Sequence, residues 1–178
     1  MSVLSGSCNC GAVSFKLAQA PTEATACHCT QCRKQSGHYF ASANLPKSAL
    51  QLSGAEHITW YQSSEKVRRG FCSKCGCWLF WEPVFRDWTS VALGSLSGNT
   101  NLDLERHIFV AHKGDYYSIA DGLPQNENCE ARMPRHCCPV RPNPSLKLTR
   151  YGMRCKPGPR HMVHHRSPGL QRMPPRAA

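Results

Sequence analysis

The chain places apolar and polar residues in short alternating runs. Val13, Phe15 and Leu17 are separated by Ser14 and Lys16, the period-two pattern of a strand with one buried face. His57 to Gln62 repeats it, with Ile58 and Trp60 on one side. Tyr39 to Leu45 reads as a strand ended by Pro46, and Leu50-Gln51-Leu52 as a short strand before a turn at Ser53-Gly54. Val67 to Phe71, Trp88 to Leu93 and His107 to Val110 complete the set. Trp78-Leu79-Phe80-Trp81 is apolar at consecutive positions, as in a strand covered on both faces. Its flanking cysteines and Pro83 leave too little length for a core helix. Arg33 to Gly37 allows one or two helical turns, with Gly37 as the stop. No apolar period of 3.6 residues is sustained anywhere. The pattern predicts a mainly β domain of mostly antiparallel sheet, closed by a turn at Asp121-Gly122-Leu123-Pro124.

After Gln125 the pattern stops, and charge and composition divide the chain at the same place. Residues 1–127 carry eleven Lys/Arg against ten Asp/Glu, whereas residues 128–178 carry eleven against one. Nine of the thirteen prolines fall in the second part, and all Trp and Phe in the first. Of the net charge of +11, the tail therefore carries +10 and the folded body +1. The expected organisation is a domain over residues 1–127 and a disordered basic tail over 128–178, too poor in apolar residues to offset the entropy of ordering. Such a tail allows nucleic-acid binding by phosphate neutralisation. However, with one aromatic, Tyr151, it has little to stack on bases. No apolar run approaches the roughly 18 residues of a membrane span. The segment Met1 to Gly6 lacks the basic and apolar regions of a signal peptide. A cytoplasmic location is expected, where cysteines serve as metal ligands or buried thiols.

Of the twelve cysteines, Cys8, Cys10, Cys27, Cys29, Cys32, Cys72, Cys75 and Cys77 lie in the body. Cys8-x-Cys10-Gly11 and Cys72-x-x-Cys75-Gly76 share a grammar in which glycine follows the second cysteine and a strand follows the glycine. This is a zinc knuckle, whose tight turn aims main-chain N–H groups at sulfur. Knuckles pair, so Cys8, Cys10, Cys72 and Cys75 are expected to form one all-thiolate tetrahedral site. Cys27-His28-Cys29-Thr30-Gln31-Cys32 is different, because Arg33 follows it. Three cysteines there are one short of the four ligands of a structural zinc. Either a fourth ligand closes the site, Cys77 being the first candidate, or the fourth position stays open for chemistry. The spacing alone leaves both open.

The segments Ser7-Cys8-x-Cys10-Gly11-x-Val13-x-Phe15, Cys27-His28-Cys29-x-x-Cys32-Arg33-Lys34-x-x-Gly37 and Phe71-Cys72-x-x-Cys75-Gly76-x-x-Leu79-Phe80-Trp81 resemble the glutathione-dependent formaldehyde-activating family. That family shares its domain with centromere protein V. The resemblance covers about residues 5–125 and implies an Mss4-like fold of zinc-bound sheets. It implies two zinc ions, one structural at Cys8, Cys10, Cys72 and Cys75, the other catalytic at Cys27, Cys29 and Cys32 with an open position. It also implies glutathione as thiol co-substrate, a small aldehyde such as formaldehyde as its partner, and a carbon–sulfur lyase or synthase reaction. Zinc with three thiolates is a poor generator of hydroxide but well matched to a fourth, soft sulfur. Arg33 and Lys34, just past the last cysteine, are candidates for a glutathione carboxylate. Arg68 and Arg69 are weaker candidates, with solvated surface charge the plainer reading.

Overall fold

The computed structural model describes residues 4–129, so the tail expected from residue 128 lies almost wholly outside the described residues. Two sheets face each other. The smaller is antiparallel and holds β1 (Leu4–Ser7), β2 (Ser14–Leu17) and β5 (Leu50–Ser53) in the order β1-β2-β5. The larger holds β3 (Thr22–Cys27), β4 (Phe40–Pro46), β6 (Ile58–Ser64), β7 (Val67–Cys72), β8 (Trp78–Pro83), β9 (Trp88–Ala92), β10 (Arg106–Ile108) and β11 (Gln125–Asn126). Its order is β11-β10-β3-β4-β9-β8-β7-β6. Most pairings are antiparallel as expected, but β10 runs parallel to both β3 and β11. The single described α-helix, α1 (Thr30–Ser36), ends where Gly37 N–H reaches back to Arg33 O.

The predicted alternation of β2 is realised. Val13, Phe15 and Leu17 are buried and Lys16 is exposed. They meet Leu45, Leu79, Phe80 and Val91 between the two sheets. A second, smaller core lies apart from this one and contains Cys29, Cys32, Phe40, Ala92 and Phe109, with Trp78, Trp81 and Cys129 packed against it. The strand β8 serves both cores by means of a bulge. Gly70 pairs with Phe80 and Phe71 with Trp78, so Leu79 is the extra residue. Leu79 and Phe80 consequently join the first core while Trp78 and Trp81 join the second.

Three strands, β1, β3 and β11, escaped the hydrophobic pattern. β3 reads Thr-Glu-Ala-Thr-Ala-Cys, and its Ala24, Thr25 and Ala26 are all buried. Small and hydroxyl side chains give no period-two contrast, yet they fit a central strand flanked by β10 and β4. β11 has two residues and forms only by pairing with β10.

Phe80 is fully buried and meets Phe15 edge-on, with ring centroids 5.6 Å apart. Phe80→Ala is expected to cost about 3–5 kcal/mol, read as the shift in the urea midpoint of the full chain.

Candidate active site

The two knuckles bring four sulfurs together at the edge of the first core. Cys8, Cys10, Cys72 and Cys75 place their Sγ atoms within 4.8 Å of one another. Cys8 and Cys10 are 3.6 Å apart, and Cys10 and Cys72 are 3.8 Å apart across 62 residues of sequence. A tetrahedron with metal–sulfur bonds of about 2.3 Å has edges of about 3.8 Å, which these two distances match, so the donor set fits zinc. Gly11 and Gly76 both take positive φ, at 76° and 71°, a conformation open to glycine and strained for other residues. The turns aim Gly11 N–H at Cys8 O and Gly76 N–H at Cys72 O, while Val13 N–H points at Cys8 Sγ at 3.3 Å. Cys77 packs on the first core, and the described metal-capable groups do not include it.

The second group forms where β3 runs into α1. Cys27 is the last residue of β3, held between Phe40 of β4 and Ile108 of β10. Cys29 caps α1, its sulfur accepting from Cys32 N–H at 3.5 Å. One turn of helix then returns Cys32 to the same side. The three sulfurs lie within 4.8 Å of each other, and among the described residues no further Cys, His, Asp or Glu completes the group. As bare thiols they oppose one another's ionisation. Cys27 is pushed well above its ordinary 9.0 by the sulfur of Cys29, then that of Cys32, then burial. Cys32 is lowered by its contact with Cys27, but Cys29 and burial outweigh this and push it up to about 12. Three soft donors that cannot share negative charge without a cation among them fit a thiophilic divalent metal.

His28 turns away from this group. It is fully buried, with Nε2 2.8 Å from His107 Nδ1 and Nδ1 2.5 Å from Tyr117 Oη. His107 Nε2 is 2.8 Å from Asp121 Oδ2. One carboxylate sets the direction of the whole series. The hydrogen bond from His107, followed by Leu123 N–H, lowers the Asp121 carboxyl below its ordinary range, so it is an acceptor. His107 therefore donates from Nε2 and accepts at Nδ1, and His28 does the same, leaving Tyr117 to donate its O–H. Burial first, then the nearby basic side chains His107, His38 and Lys113, holds His28 down to about 4, and burial raises Tyr117. Both shifts agree with a neutral ring and a protonated phenol. The effect is to fasten the residue between Cys27 and Cys29 to the segment 107–121.

Beside the three sulfurs is a cleft of about 50 Å³, bordered by Cys27 and Cys32. Its walls are aromatic, with Phe40, Trp81 and Trp88 among them. Its floor is a polar row across β3, β4 and β9, where Thr25 pairs with Ser42 and Asn44 with Ser90. Asn44 Oδ1 accepts from Ser90 Oγ at 2.7 Å, and its Nδ2 donates to Glu23 at 3.0 Å. The hydroxyls of Thr25 and Ser42 are spent on no other group among the described residues. A volume of this size takes about three or four waters.

Arg33 and Lys34 occupy the last turn of α1, half-buried and exposed, and neither lines this cleft. The arginine pair departs from the surface-charge reading. Arg68 is bonded to Glu82 and covers Trp60. Arg69 is 1% exposed and reaches Cys32. The alternation of β7, which buries Val67 and Arg69 and turns Arg68 outward, was the signal for that. Nothing in the sequence announced the polar row or the link from His28 to Asp121. The nucleic-acid reading falls on residues outside those described. Among the described residues no helix is long and apolar enough to cross a membrane.

A family model described as glutathione-dependent formaldehyde-activating enzyme matches residues 3–112. A putative glutathione-dependent formaldehyde-activating enzyme from Halomonas elongata is 30% identical over 143 residues, covering 74% of this chain and 89% of the relative. An uncharacterised lyase from Schizosaccharomyces pombe is 25% identical over 122 residues, covering 65% of this chain and 85% of the relative. A solved Rhodobacter sphaeroides protein is 28% identical with a TM-score of 0.46, covering 53% of this chain and 89% of that one.

Ring ¹⁵N shifts are expected to show both His28 and His107 as Nε2–H tautomers. Tyr117→Phe leaves a buried acceptor without its donor and should cost about 1–3 kcal/mol in chemical denaturation.

Proposed function

Since the chain belongs to the glutathione-dependent formaldehyde-activating enzyme family, we propose that it joins the thiol of glutathione to a small aldehyde and runs the same step backwards as a carbon–sulfur lyase. In the forward direction the sulfur lone pair forms a bond to the carbonyl carbon. The carbon–oxygen π pair moves to oxygen, and the thiol proton ends on that oxygen as a hydroxyl. With formaldehyde the product is S-hydroxymethylglutathione, and no oxidant or reductant is consumed.

The observation that carries this reading is the group of three sulfurs, without a fourth ligand among the described residues, at the border of a cleft. Zinc held by Cys27, Cys29 and Cys32 would supply a place where a fourth sulfur sits as thiolate at neutral pH. The remaining work falls to the chain. The cleft accepts an aldehyde of a few heavy atoms and is too small for a tripeptide, so glutathione enters sulfur first with its backbone outside. Thr25 and Ser42 offer unspent hydroxyls to the aldehyde oxygen, whose charge grows as the carbon–sulfur bond forms. Ser90 and Asn44, each committed to a partner, hold the floor in shape. Phe40, Trp81 and Trp88 exclude water, which would otherwise compete as a nucleophile. Arg33 and Lys34, next to the group on α1, are the cations within the same segment for the glutathione carboxylates. Cys8, Cys10, Cys72 and Cys75 would hold the second zinc in a structural role.

The full chain, loaded with zinc and mixed with glutathione and formaldehyde, should form the adduct faster than the uncatalysed background. Cys29→Ser should abolish the excess, and Ser42→Ala should reduce kcat/KM by up to roughly tenfold, the worth of one hydrogen bond. No excess rate in the wild type, or an unchanged rate in Cys29→Ser, would exclude this activity.

The two cysteine groups should separate in stability. A four-thiolate site contributes on the order of 10 kcal/mol to folding, comparable to the total stability of a domain. Cys72→Ser should therefore lose the cooperative melting transition, whereas Cys29→Ser should retain it.

A further inference from the structure

Arg69 has the largest side chain among the fully buried residues. A guanidinium removed from water needs an anion, because hydrogen bonds alone do not replace the hydration of a full charge. Its neighbour shows the ordinary solution. Arg68 meets the Glu82 carboxylate through Nε at 2.7 Å and through Nη2, while its guanidinium covers Trp60. Among the described residues Arg69 has no such partner. Nη2 donates to Gln31 Oε1 at 2.7 Å and Nη1 to Gln35 Oε1 at 3.1 Å, both neutral amides. The Trp78 ring lies 5.2 Å from the guanidinium carbon, and Nε has no acceptor. The remaining contact is Nη1 to Cys32 Sγ at 3.8 Å. Two amides and a ring face orient the charge and leave it uncompensated.

We propose that Arg69 is the counter-charge of the Cys27–Cys29–Cys32 group and makes it able to accept an anionic fourth ligand. The proposal rests on the reading that these three cysteines hold a divalent metal. Three thiolates around a dication leave one net negative charge, which Arg69 cancels from the buried side, opposite in sign and in contact with one of the sulfurs. A substrate thiolate then approaches a neutral assembly instead of an anionic one. The burial of Arg69 fits this role, since a positive charge in low dielectric acts on its neighbours far more strongly than one in water. Arg69 touches no reacting atom, so it is a positioning residue. The two glutamines of α1 determine where its fork points.

The test is the zinc content and chelator resistance of the full chain, read with a colorimetric zinc chelator and independent of activity. Wild type should bind two zinc ions. Arg69→Met, which keeps the length of the side chain and removes its charge, should release one of them at a chelator concentration on the order of tenfold lower. The other should stay as in wild type. Gln35 is exposed, so variants there keep the test decisive if Arg69→Met does not fold. Gln35→Glu gives Nη1 a carboxylate and should draw the charge from Cys32, loosening the same zinc more than Gln35→Ala, which removes one amide from the fork and leaves the charge without a rival anion. Unchanged chelator resistance in Arg69→Met would overturn the proposal. So would equal loosening in Gln35→Ala and Gln35→Glu, which would make Arg69 a packing bridge to α1. A wild type that binds a single zinc would instead refute the underlying reading of the three-cysteine group.

Discussion

Sulfur atoms crowded together repel as soon as more than one is ionised, and this constraint governs the rest of the molecule. The chain spends seven cysteines on two such crowds, each with its Sγ atoms within 4.8 Å. Neutral thiols gain little from that proximity, and thiolates are destabilised by it unless a cation lies between them. A fold that imposes the arrangement therefore suits a cation placed among the sulfurs. The four-sulfur group ties the small sheet to the large one at the end of the first core. The three-sulfur group sits where one strand ends and the helix begins, against a cleft, with a buried guanidinium behind it.

The large sheet separates these two environments. The bulge at Leu79 lets β8 send Leu79 and Phe80 to one face and Trp78 and Trp81 to the other. Without the extra residue, strict alternation would put Trp78 and Phe80 on one face and Leu79 and Trp81 on the other. Trp78 then stacks on Phe40, with centroids 3.6 Å apart, and lies beneath Arg69. Trp81 stands beside Trp88 at the cleft. A single local irregularity thus sets both the packing of the first core and the wall of the candidate active site.

How much of this was legible depended on the kind of signal. Strands with a real contrast between apolar and polar positions, such as β2 and β6, were readable, and so was the short helix with its glycine stop. The pairing of the knuckles followed from their shared glycine. β3 was not readable because Ala24, Thr25 and Ala26 are small and buried together, and its place depends on strands from distant parts of the chain. The role of Arg69 was hidden by residue type, since arginine is an unusual occupant of an inward position. The cleft floor has no sequence signature at all, because Thr25, Ser42, Asn44 and Ser90 become neighbours only through the registers of β3, β4 and β9.

The first knuckle and its partner are 62 residues apart, counted from Cys10 to Cys72. On a ribosome adding about 5–20 residues per second, the leading pair of thiols waits roughly 3–12 s for the second pair. During that interval Cys8 and Cys10 can chelate only weakly, and the early strands lack β8 and β9, which join the two halves of the large sheet. Assembly of the four-sulfur group is thus timed by translation, and a metal that it could hold would find all four donors only once Cys75 emerges.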